Sequence, residues 1–593
     1  MRNAEIAARL AEMADLLEAK DVEYKPRAYR RAAENLREYP RPVEERAAEG
    51  SDAVRTVEGV GEAIADKVVE YAETGSIGEL DELREELPVE MAALTRVEGV
   101  GPKTVGSLYE ALGIRTLADL ETAAENGEIR EVSGFGAKTE QNVLDKVDFA
   151  RQATERQRIG DARPLADDAL SLLRDHEATG RCEVAGSLRR WRETIGDVDV
   201  LVASEDSQAV VDAFTEWSRA DDVIEAGSIK ASVRAEGVRV DLRVVVPEEY
   251  GSALQYFTGS KEHNVRLRNY AIERDMKLNE YGAFDVSEAR SASESRTESD
   301  GTEDDSDQRA GDRVAGETEA SMYEALGLPH IPPELREDRG EIQAATEGEL
   351  PDLVEEDDVR GDLHTHTNWS DGGNTVREMA EAAAEMGYDY HCVTDHATGP
   401  GMVGGVGLSD AELREQMTEI REVDDDVPVD LFAGVEANID AEGGISVDDE
   451  VLADLDLVVA SPHSALDQGK EAATERLVAA IEHPSVDVAG HPSGRMINKR
   501  PGIEFDVPTV VEAAADEGVA LEINSNPARL DLRDSAVKAA VERGATIAVT
   551  TDAHGPGEFA LVRYGIHTAR RGWAEAADVL NARGPDGLRG FLH

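Results

Sequence analysis

Cysteine is nearly absent from this sequence: two residues in 593, Cys182 and Cys392, each inside an apolar run that reads as a strand. That excludes a disulfide framework and any cysteine-based zinc site. Aromatic residues make up only 4%. No apolar run is long enough to span a bilayer, and the opening segment MRNAEIAARLAEMADLLEAK reads as an amphipathic acidic helix rather than a signal peptide. A cytoplasmic protein is expected, with no membrane partner. Basic side chains are also scarce, with 62 Lys and Arg against 125 Asp and Glu, a formal net charge of −63.

Taken alone, that deficit argues against a nucleic-acid partner, because phosphate neutralisation by Lys and Arg dominates such binding. The acid is spread over every segment, however, and Arg and short Ala or Val replace Lys and large apolar side chains. This is the composition of a salt-in halophile, whose carboxylate-rich surface stays hydrated. In molar salt the repulsion is screened within about 3 Å. Global charge then describes the solvent, and local chemistry must decide function. The 40% apolar content suffices for packed cores, and the length calls for several domains.

The chain to about residue 150 is helical and carries a repeat: VEGVGEAIADK (57–67), VEGVGPKTVGS (97–107) and VSGFGAKTEQN (132–142). Each copy puts an apolar-x-Gly-apolar-Gly turn between two helices. The pairs Gly59/Gly61, Gly99/Gly101 and Gly134/Gly136 let backbone approach a phosphate, and the next helix offers its unpaired N–H groups. Any single copy is explained by an ordinary helix connection; three copies resemble helix-hairpin-helix motifs and imply DNA binding through the backbone. Lys67 closes the first repeat. An isolated helix lysine is usually a solvated one, but with a depressed pKa beside such a hairpin it would attack an abasic sugar aldehyde as a Schiff base.

Residues 185–202 read AGSLRRWRETIGDVDVLV. The Gly186-Ser187 turn frees N–H groups and a hydroxyl for a triphosphate, with Arg190 nearby as a charge clamp. Asp197 and Asp199 alternate with valines, so on a strand both carboxylates face one way. Such a pair holds two Mg²⁺ ions about 3.5–4 Å apart for in-line phosphoryl transfer. Asp241, in the apolar run VRVDLRVVV, supplies the third carboxylate. A lone Asp-x-Asp is a weak signal; the three features together are the pattern of nucleotidyltransferases.

YFTGS (256–260), Asn264 and Arg268 narrow it, and the chain to about 345 resembles the family X DNA polymerases of the DNA polymerase beta type. The resemblance implies Mg²⁺ or Mn²⁺ on Asp197, Asp199 and Asp241, with Asp241 helping to deprotonate the primer 3′-hydroxyl. It implies triphosphate contacts from Gly186, Ser187 and Arg190, and a sugar pocket from Tyr256, Phe257 and Gly259. Asn264 and Arg268 match contacts to the nucleotide and the template minor groove. Lys67 falls on the Schiff-base lysine of the family's deoxyribose-phosphate lyase. Ala63 stands where a 5′-phosphate-binding lysine is expected, with Lys25 and Arg55 remaining. Lys261 replaces an acidic residue near the base.

Residues 286–320 are rich in Ser, Asp and Glu and lack aromatics, the composition of a disordered insertion. From about 359, strand-like runs alternate with helices, which argues for a parallel barrel. Histidines and carboxylates gather at the strand C-termini, where barrel enzymes keep their chemistry: His364, His366, Asp371, His396, Glu436, His463, His491, Asp552 and His554. One such His is usually structural; so many from separate strands are not. The mix suits Zn²⁺, Mn²⁺ or Fe²⁺. The arrangement resembles the polymerase-and-histidinol-phosphatase (PHP) domain, in which these nine positions hold three divalent metals that hydrolyse phosphoesters. Arg495 and Lys499 lie where they would guide a phosphate chain, although a solvated loop explains either alone.

The fold expected is multidomain: helical helix-hairpin-helix N-terminal domains, an α+β nucleotidyltransferase palm and thumb, and a C-terminal α/β PHP barrel of (β/α)7 type. The expected boundaries are a DNA-binding and lyase-like domain at 1–85, a fingers-like domain at 86–150, a palm at 151–262, a thumb at 263–345 with the insertion 286–320, a linker at 346–358 and the barrel at 359–593. The function expected is gap-filling repair synthesis with 3′→5′ exonuclease, and lyase or abasic-site endonuclease activity besides. The substrates are gapped or primer–template DNA, abasic ends and dNTPs, acted on by a monomer. Two rival readings are a barrel acting as a small-molecule phosphatase of histidinol-phosphate type, and a non-catalytic DNA-binding scaffold.

Overall fold

The structure is a computed structural model that describes residues 3–22, 24–39, 43–57, 59–97, 99–287, 309, 311–401 and 406–593. It divides into two units, Met1–Glu155 with Asn498–Arg500, and Arg156–Ile497 with Pro501–His593. Among the described residues no helix is long and apolar enough to cross a membrane.

The first unit is helical from Asn3–Ala19 to Ala137–Glu155. Its repeats adopt one turn three times. Val60 N–H donates to Val57 O at 3.2 Å, Val100 to Val97 at 2.9 Å and Phe135 to Val132 at 3.1 Å. Val57, Val60, Val97 and Val100 are buried, so each of the first two turns is anchored from below. Closing the turn puts the first glycine in the left-handed region, with φ of 73° at Gly59, 85° at Gly99 and 94° at Gly134. The second glycine then stands at the helix start, extended as Gly61 before Glu62–Thr74 and Gly101 before Pro102–Leu112. Gly136 holds that place before Ala137–Glu155, where its carbonyl accepts from Glu140 N–H at 3.2 Å.

In the second unit β1 (Gln157–Arg158) pairs with β3 (Thr194–Ile195). The palm sheet comprises β2 (Arg181–Val184), β4 (Val198–Ala203), β5 (Asp222–Ala226), β6 (Lys230–Ala235) and β7 (Val238–Val245), in the order β2-β4-β7-β6-β5. Only β4 and β7 run parallel. Val200, Val202 and Val240 pack under helices Ile159–Arg174 and Ser207–Thr215 with Leu165, Leu170 and Phe214. That burial fixes the strand phase and leaves Asp199, next to Val200, and Asp241, next to Val240, on the other face.

The thumb joins helices Tyr250–Thr258 and Lys261–Ile272 to a sheet of β8 (Met276–Asn279), β9 (Gly282–Asp285) and β10 (Asp312–Ala315). Here the expected disorder over 286–320 is corrected at its end. Asp312–Ala315 pairs with β9, and Glu319 opens the helix Glu319–Glu324, buried between Arg189 and Arg336. These residues find backbone and charge partners that composition averaged over the segment does not register. Residues 288–308 and 310, also within that expectation, lie outside the described residues. The expected linker at 346–358 is held too, with Val354 N–H on Ala574 O at 3.0 Å.

The remaining strands are β11 (Gly361–Asp362), β12 (Tyr390–Val393), β13 (Asp430–Asn438), β14 (Leu457–Ser461), β15 (Val488–Ala489), β16 (Ala520–Asn524) and β17 (Ile547–Thr550), all parallel and in sequence order. Alternate residues serve two cores. Ala433, Val435 and Val458 pack outward, whereas Tyr390, Phe432, Leu457 and Val488 fill the interior. Parallel strands buried on both faces read as continuous apolar runs, as they do here. The seam between β11 and β17 is bridged by Asn581, whose Nδ2 donates to Gly361 O at 2.9 Å and Val549 O at 2.6 Å. Thr551 Oγ1 donates across it to Asp362 Oδ2 at 2.5 Å.

Candidate active sites

Asp199 on β4 and Asp241 on β7 are register partners. Asp197 joins them, so that one oxygen from each lies within 4.8 Å of the others. Burial, and then the charges of Asp197 and Asp241, push the Asp199 pKa up to about 7. Arg239 Nε donates to both Asp241 oxygens at 2.9 Å but stands on the exposed side. Three carboxylates crowded to this degree fit hard divalent cations, which take oxygen ligands. The triad opens on a cleft of ≈ 240 Å³ whose walls include Lys230, Arg243 and Phe257.

Gly186 presses on the triad. A Cβ there would lie 2.3 Å from Asp199 Oδ2, and its φ of +62° is left-handed. Ala185 N–H donates to Asp199 O at 2.8 Å, and Ser187 follows in the helical turn Gly186–Arg189. Phe257 meets Tyr256 edge-on at 5.1 Å. Asn264 is locked, donating to Tyr256 O at 2.7 Å and accepting from Gln255 at 2.8 Å. Arg268 Nε lies 3.3 Å from Asn264 O and is otherwise exposed.

Arg190 departs from its expected role as a free triphosphate clamp. Its Nε donates to Glu337 at 3.0 Å, and its Nη1 donates to Thr258 O and lies 3.1 Å from where a Gly259 Cβ would be. The guanidinium braces the Gly259 turn, because Glu337 is the nearest anion in its buried setting. Lys67 is corrected as well. Its Nζ lies 2.7 Å from Glu79, which also faces Lys25 at 3.6 Å. Burial pulls the Lys67 pKa down, but Glu79 and Tyr29 pull it further up, so it stands above the ordinary lysine value instead of below it.

The two glycines of each hairpin pair differ in what the backbone asks of them. Gly59, Gly99 and Gly134 are required by their left-handed φ. Gly61, Gly101 and Gly136 are exposed, none is left-handed, and a Cβ added to any of them would meet no atom within 4 Å. The fold therefore sets no demand for glycine at 61, 101 or 136, because the turns are already closed by Gly59, Gly99 and Gly134. A phosphate contact at these three glycines rests on the repeat and on the open space in front of them.

In the barrel, the interior phase of β13 runs Phe432, Gly434, Glu436, and that of β16 runs Ala520, Glu522, Asn524. Glu436 is therefore central. His396 Nδ1 lies 2.6 Å from it, His463 Nε2 3.2 Å, His364 Nε2 3.5 Å, His491 Nε2 3.5 Å and His366 Nε2 3.8 Å. Asp552 reaches His366 at 2.9 Å, and Asp371 reaches His554 at 3.3 Å and His396 at 3.6 Å. All nine expected ligands thus meet, in overlapping groups whose donor atoms lie within 4.8 Å. His364 Nε2, His366 Nδ1, His396 Nδ1 and both Glu436 oxygens are buried without a hydrogen bond. Orphaned buried donors of this kind are explained by divalent ions.

The layer behind the ligands was not foreseen. Glu522 accepts from His364 Nδ1 at 2.6 Å and lies 3.2 Å from His491 Nδ1. Asn438 orients His463 at 2.7 Å, and Asn524 donates to Asp552 at 2.8 Å. Asp395, one residue before His396, accepts from Thr367 N–H at 2.7 Å. Strand parity is the signal that marks Glu522 and Asn524. His391 has the opposite parity and packs against Phe559, and burial pushes its pKa down to about 3. Arg495 does not point to a phosphate path: it pairs with Glu193 at 2.7 Å and donates to Leu530 O.

Family models match along the chain: a helix-hairpin-helix domain at 1–77, a SAM-like helix-hairpin-helix tandem at 91–147, a DNA polymerase beta thumb at 253–337 and a PHP domain at 362–526. The sequence is 34% identical over 597 residues to the DNA polymerase/3′-5′ exonuclease PolX of Bacillus subtilis (strain 168), covering 100% of this chain and 99% of that protein. It is 26% identical over 354 residues to DNA polymerase lambda of Rattus norvegicus, 56% of each. A probable phosphatase of Caldanaerobacter subterraneus matches at 35% over 204 residues, 32% of this chain and 75% of that protein.

Proposed function

We propose, for a chain that belongs to the family X DNA polymerases with a C-terminal PHP domain, a repair cycle in which one site extends a primer end and the other trims it. The chain is a DNA-directed DNA polymerase with a metal-dependent 3′→5′ exonuclease, and it binds DNA through its helix-hairpin-helix domains. The observation that carries the cycle is the presence of two complete ligand sets in one chain, Asp197/Asp199/Asp241 and the nine-ligand barrel. The oxygen-only triad suits Mg²⁺ or Mn²⁺, and the imidazole-rich barrel suits Zn²⁺, Mn²⁺ or Fe²⁺. Both use divalent ions, which when bound neutralise the transferring phosphate and acidify water.

The chain's own groups do the positioning. Asp241 accepts the 3′-hydroxyl proton, and Arg239 restrains the carboxylate from the rim. The Gly186-Ser187 turn offers N–H groups to the triphosphate, while Tyr256 and Phe257 wall the sugar. In the barrel, Glu522 and Asn438 fix the Nδ1 protons of their histidines and so turn the Nε2 lone pairs inward. The hairpins grip backbone without reading bases. They favour a DNA end over a free phosphate monoester as the barrel's substrate, despite the match to a probable phosphatase. The protein works as a monomer in a salt-rich cytoplasm, where its −63 charge is screened.

The test is a gapped duplex carrying a mispaired, labelled primer end, in high KCl with divalent ions. Without dNTPs the primer shortens by single nucleotides; with dNTPs the mismatch is removed and the gap filled. Release of inorganic phosphate from histidinol phosphate faster than shortening of the primer would replace this reading with the phosphatase one.

A further inference from the structure

One cavity reverses the charge balance of the chain. It measures ≈ 160 Å³, and its walls include Arg192, Arg339, Arg533 and Arg571 against Glu193 and Asp534. Elsewhere acids outnumber bases, 125 to 62. The local acids are already engaged. Asp534 accepts from Arg571 at 2.6 Å and lies 3.1 Å from Arg339 Nη1, and Glu193 pairs with Arg495 at 2.7 Å. Glu337, behind the wall, is shared among Arg190, Arg192 and Arg571.

Positive charge is left over. The Arg533 side chain is exposed, and its guanidinium has neither hydrogen bond nor ion pair among the described residues. Arg339 Nη1 is buried and forms no hydrogen bond despite its closeness to Asp534. Excess cation in a partly desolvated wall is costly unless an anion neutralises it. The volume far exceeds the roughly 15 Å³ that one water needs, so a phosphate group fits with its hydration.

We propose that this cavity binds a phosphate of the DNA strand on its way between the two active sites. The proposal rests on the functional reading above. Its walls lead both ways. Arg192 follows Arg190 and the Gly186-Ser187 turn by a few residues, and it shares Glu337 with Arg190. Arg533 follows Arg529, whose Nε lies 3.8 Å from the barrel ligand Asp552. Planar guanidinium forks match phosphate oxygens. Such a grip ignores base identity, as handling any mispaired end requires.

The test compares the full-length wild type with Arg533→Gln, Arg533→Lys and Arg192→Gln, measuring affinity for a primer–template with a frayed 3′ end across a range of KCl. Arg533→Gln is expected to bind about tenfold more weakly, with the slope of log K against log salt reduced by about 1. Arg533→Lys recovers the slope. Hydrolysis of bis(p-nitrophenyl) phosphate, which has a single phosphate and no further backbone to hold, stays at the wild-type rate in Arg533→Gln. Affinity and slope unchanged in both Arg533→Gln and Arg192→Gln overturn the proposal. So does an unchanged slope with inorganic phosphate stabilising the wild type and not Arg533→Gln, which makes free phosphate the ligand. Absence of primer extension and shortening in the wild type overturns the functional reading instead.

Discussion

His463 and His491 bring their Nε2 atoms to 3.3 Å of each other at the barrel mouth. Their Nδ1 atoms are held from behind, by Asn438 Oδ1 at 2.7 Å and Glu522 Oε2 at 3.2 Å. With those Nδ1 protons donated, two lone pairs face each other beside Glu436. That arrangement is repulsive unless a cation lies among them.

Glu522 fixes two ligand histidines at once, His364 and His491. Glu522→Gln removes the charge that sets both tautomers. Metal affinity at the barrel should fall about 10- to 100-fold, read as metal content after dialysis, and primer shortening should fall with it. Primer extension should hold. Full metal occupancy in the variant would show that Glu522 is only a packing residue.

Gly186 has no space for a side chain. In Gly186→Ala the new Cβ starts 2.3 Å from Asp199 Oδ2 at a φ of +62°, so the turn or the carboxylate must move. Extension should drop by about 10²-fold or more, in line with a 1 Å misplacement of catalytic groups, while shortening is kept. Normal extension kinetics would mean that the turn relaxes without disturbing Asp199.

Lys67 must be neutral to attack an aldehyde, and Glu79 holds its pKa above the ordinary value. Schiff-base trapping by borohydride on a 5′-deoxyribose-phosphate end should therefore be weak near neutral pH and climb as pH rises. Glu79→Gln should move that profile to lower pH, with about tenfold more trapping for each unit the pKa falls. Lys67→Ala is the blank. Identical profiles for wild type and Glu79→Gln would remove Glu79 as the restraint.

Glu334 is buried against His567 at 2.9 Å and Arg570 at 2.8 Å. Burial raises its pKa, but those two partners outweigh it and bring the value down from 4.5 to about 2. A depressed folded pKa gives stability that is complete above the unfolded value and lost as pH falls through the folded one. Wild type should thus exceed Glu334→Gln by about 3 kcal/mol above pH 4.5. The two should converge between pH 4.5 and 2. A difference independent of pH across that window would mean the carboxylate is not the source.

The ligands of both sites were legible because most are imidazoles or carboxylates within or at the end of an apolar run, where they have no packing role. Glu522 was not. In ALEINSN it looks like the solvent-facing member of an alternating strand, and only closure of the barrel shows that both faces are buried. Arg190 was misread because its partner, Glu337, is remote in sequence. Lys67 was misread for a similar reason, since Glu79 lies on the following helix. The motif does not tell the glycines that the backbone requires, Gly59, Gly99 and Gly134, from those that it merely accommodates, Gly61, Gly101 and Gly136. β10 escaped notice because its four residues follow a long acidic stretch whose composition hides them. Barrel, palm and hairpins were visible as patterns; the charges that restrain their side chains came from tertiary contacts.

The central claim is that extension and trimming are done by separate sites on one chain. The most direct measurement is a crossed assay on one labelled, mispaired primer end, comparing wild type with Asp199→Ala and His366→Ala. Asp199→Ala should lose extension and still shorten the primer, whereas His366→Ala should extend a paired primer and leave a mispaired end uncut. If His366→Ala shortened the primer at the wild-type rate, the barrel would not be the exonuclease and the account would fail.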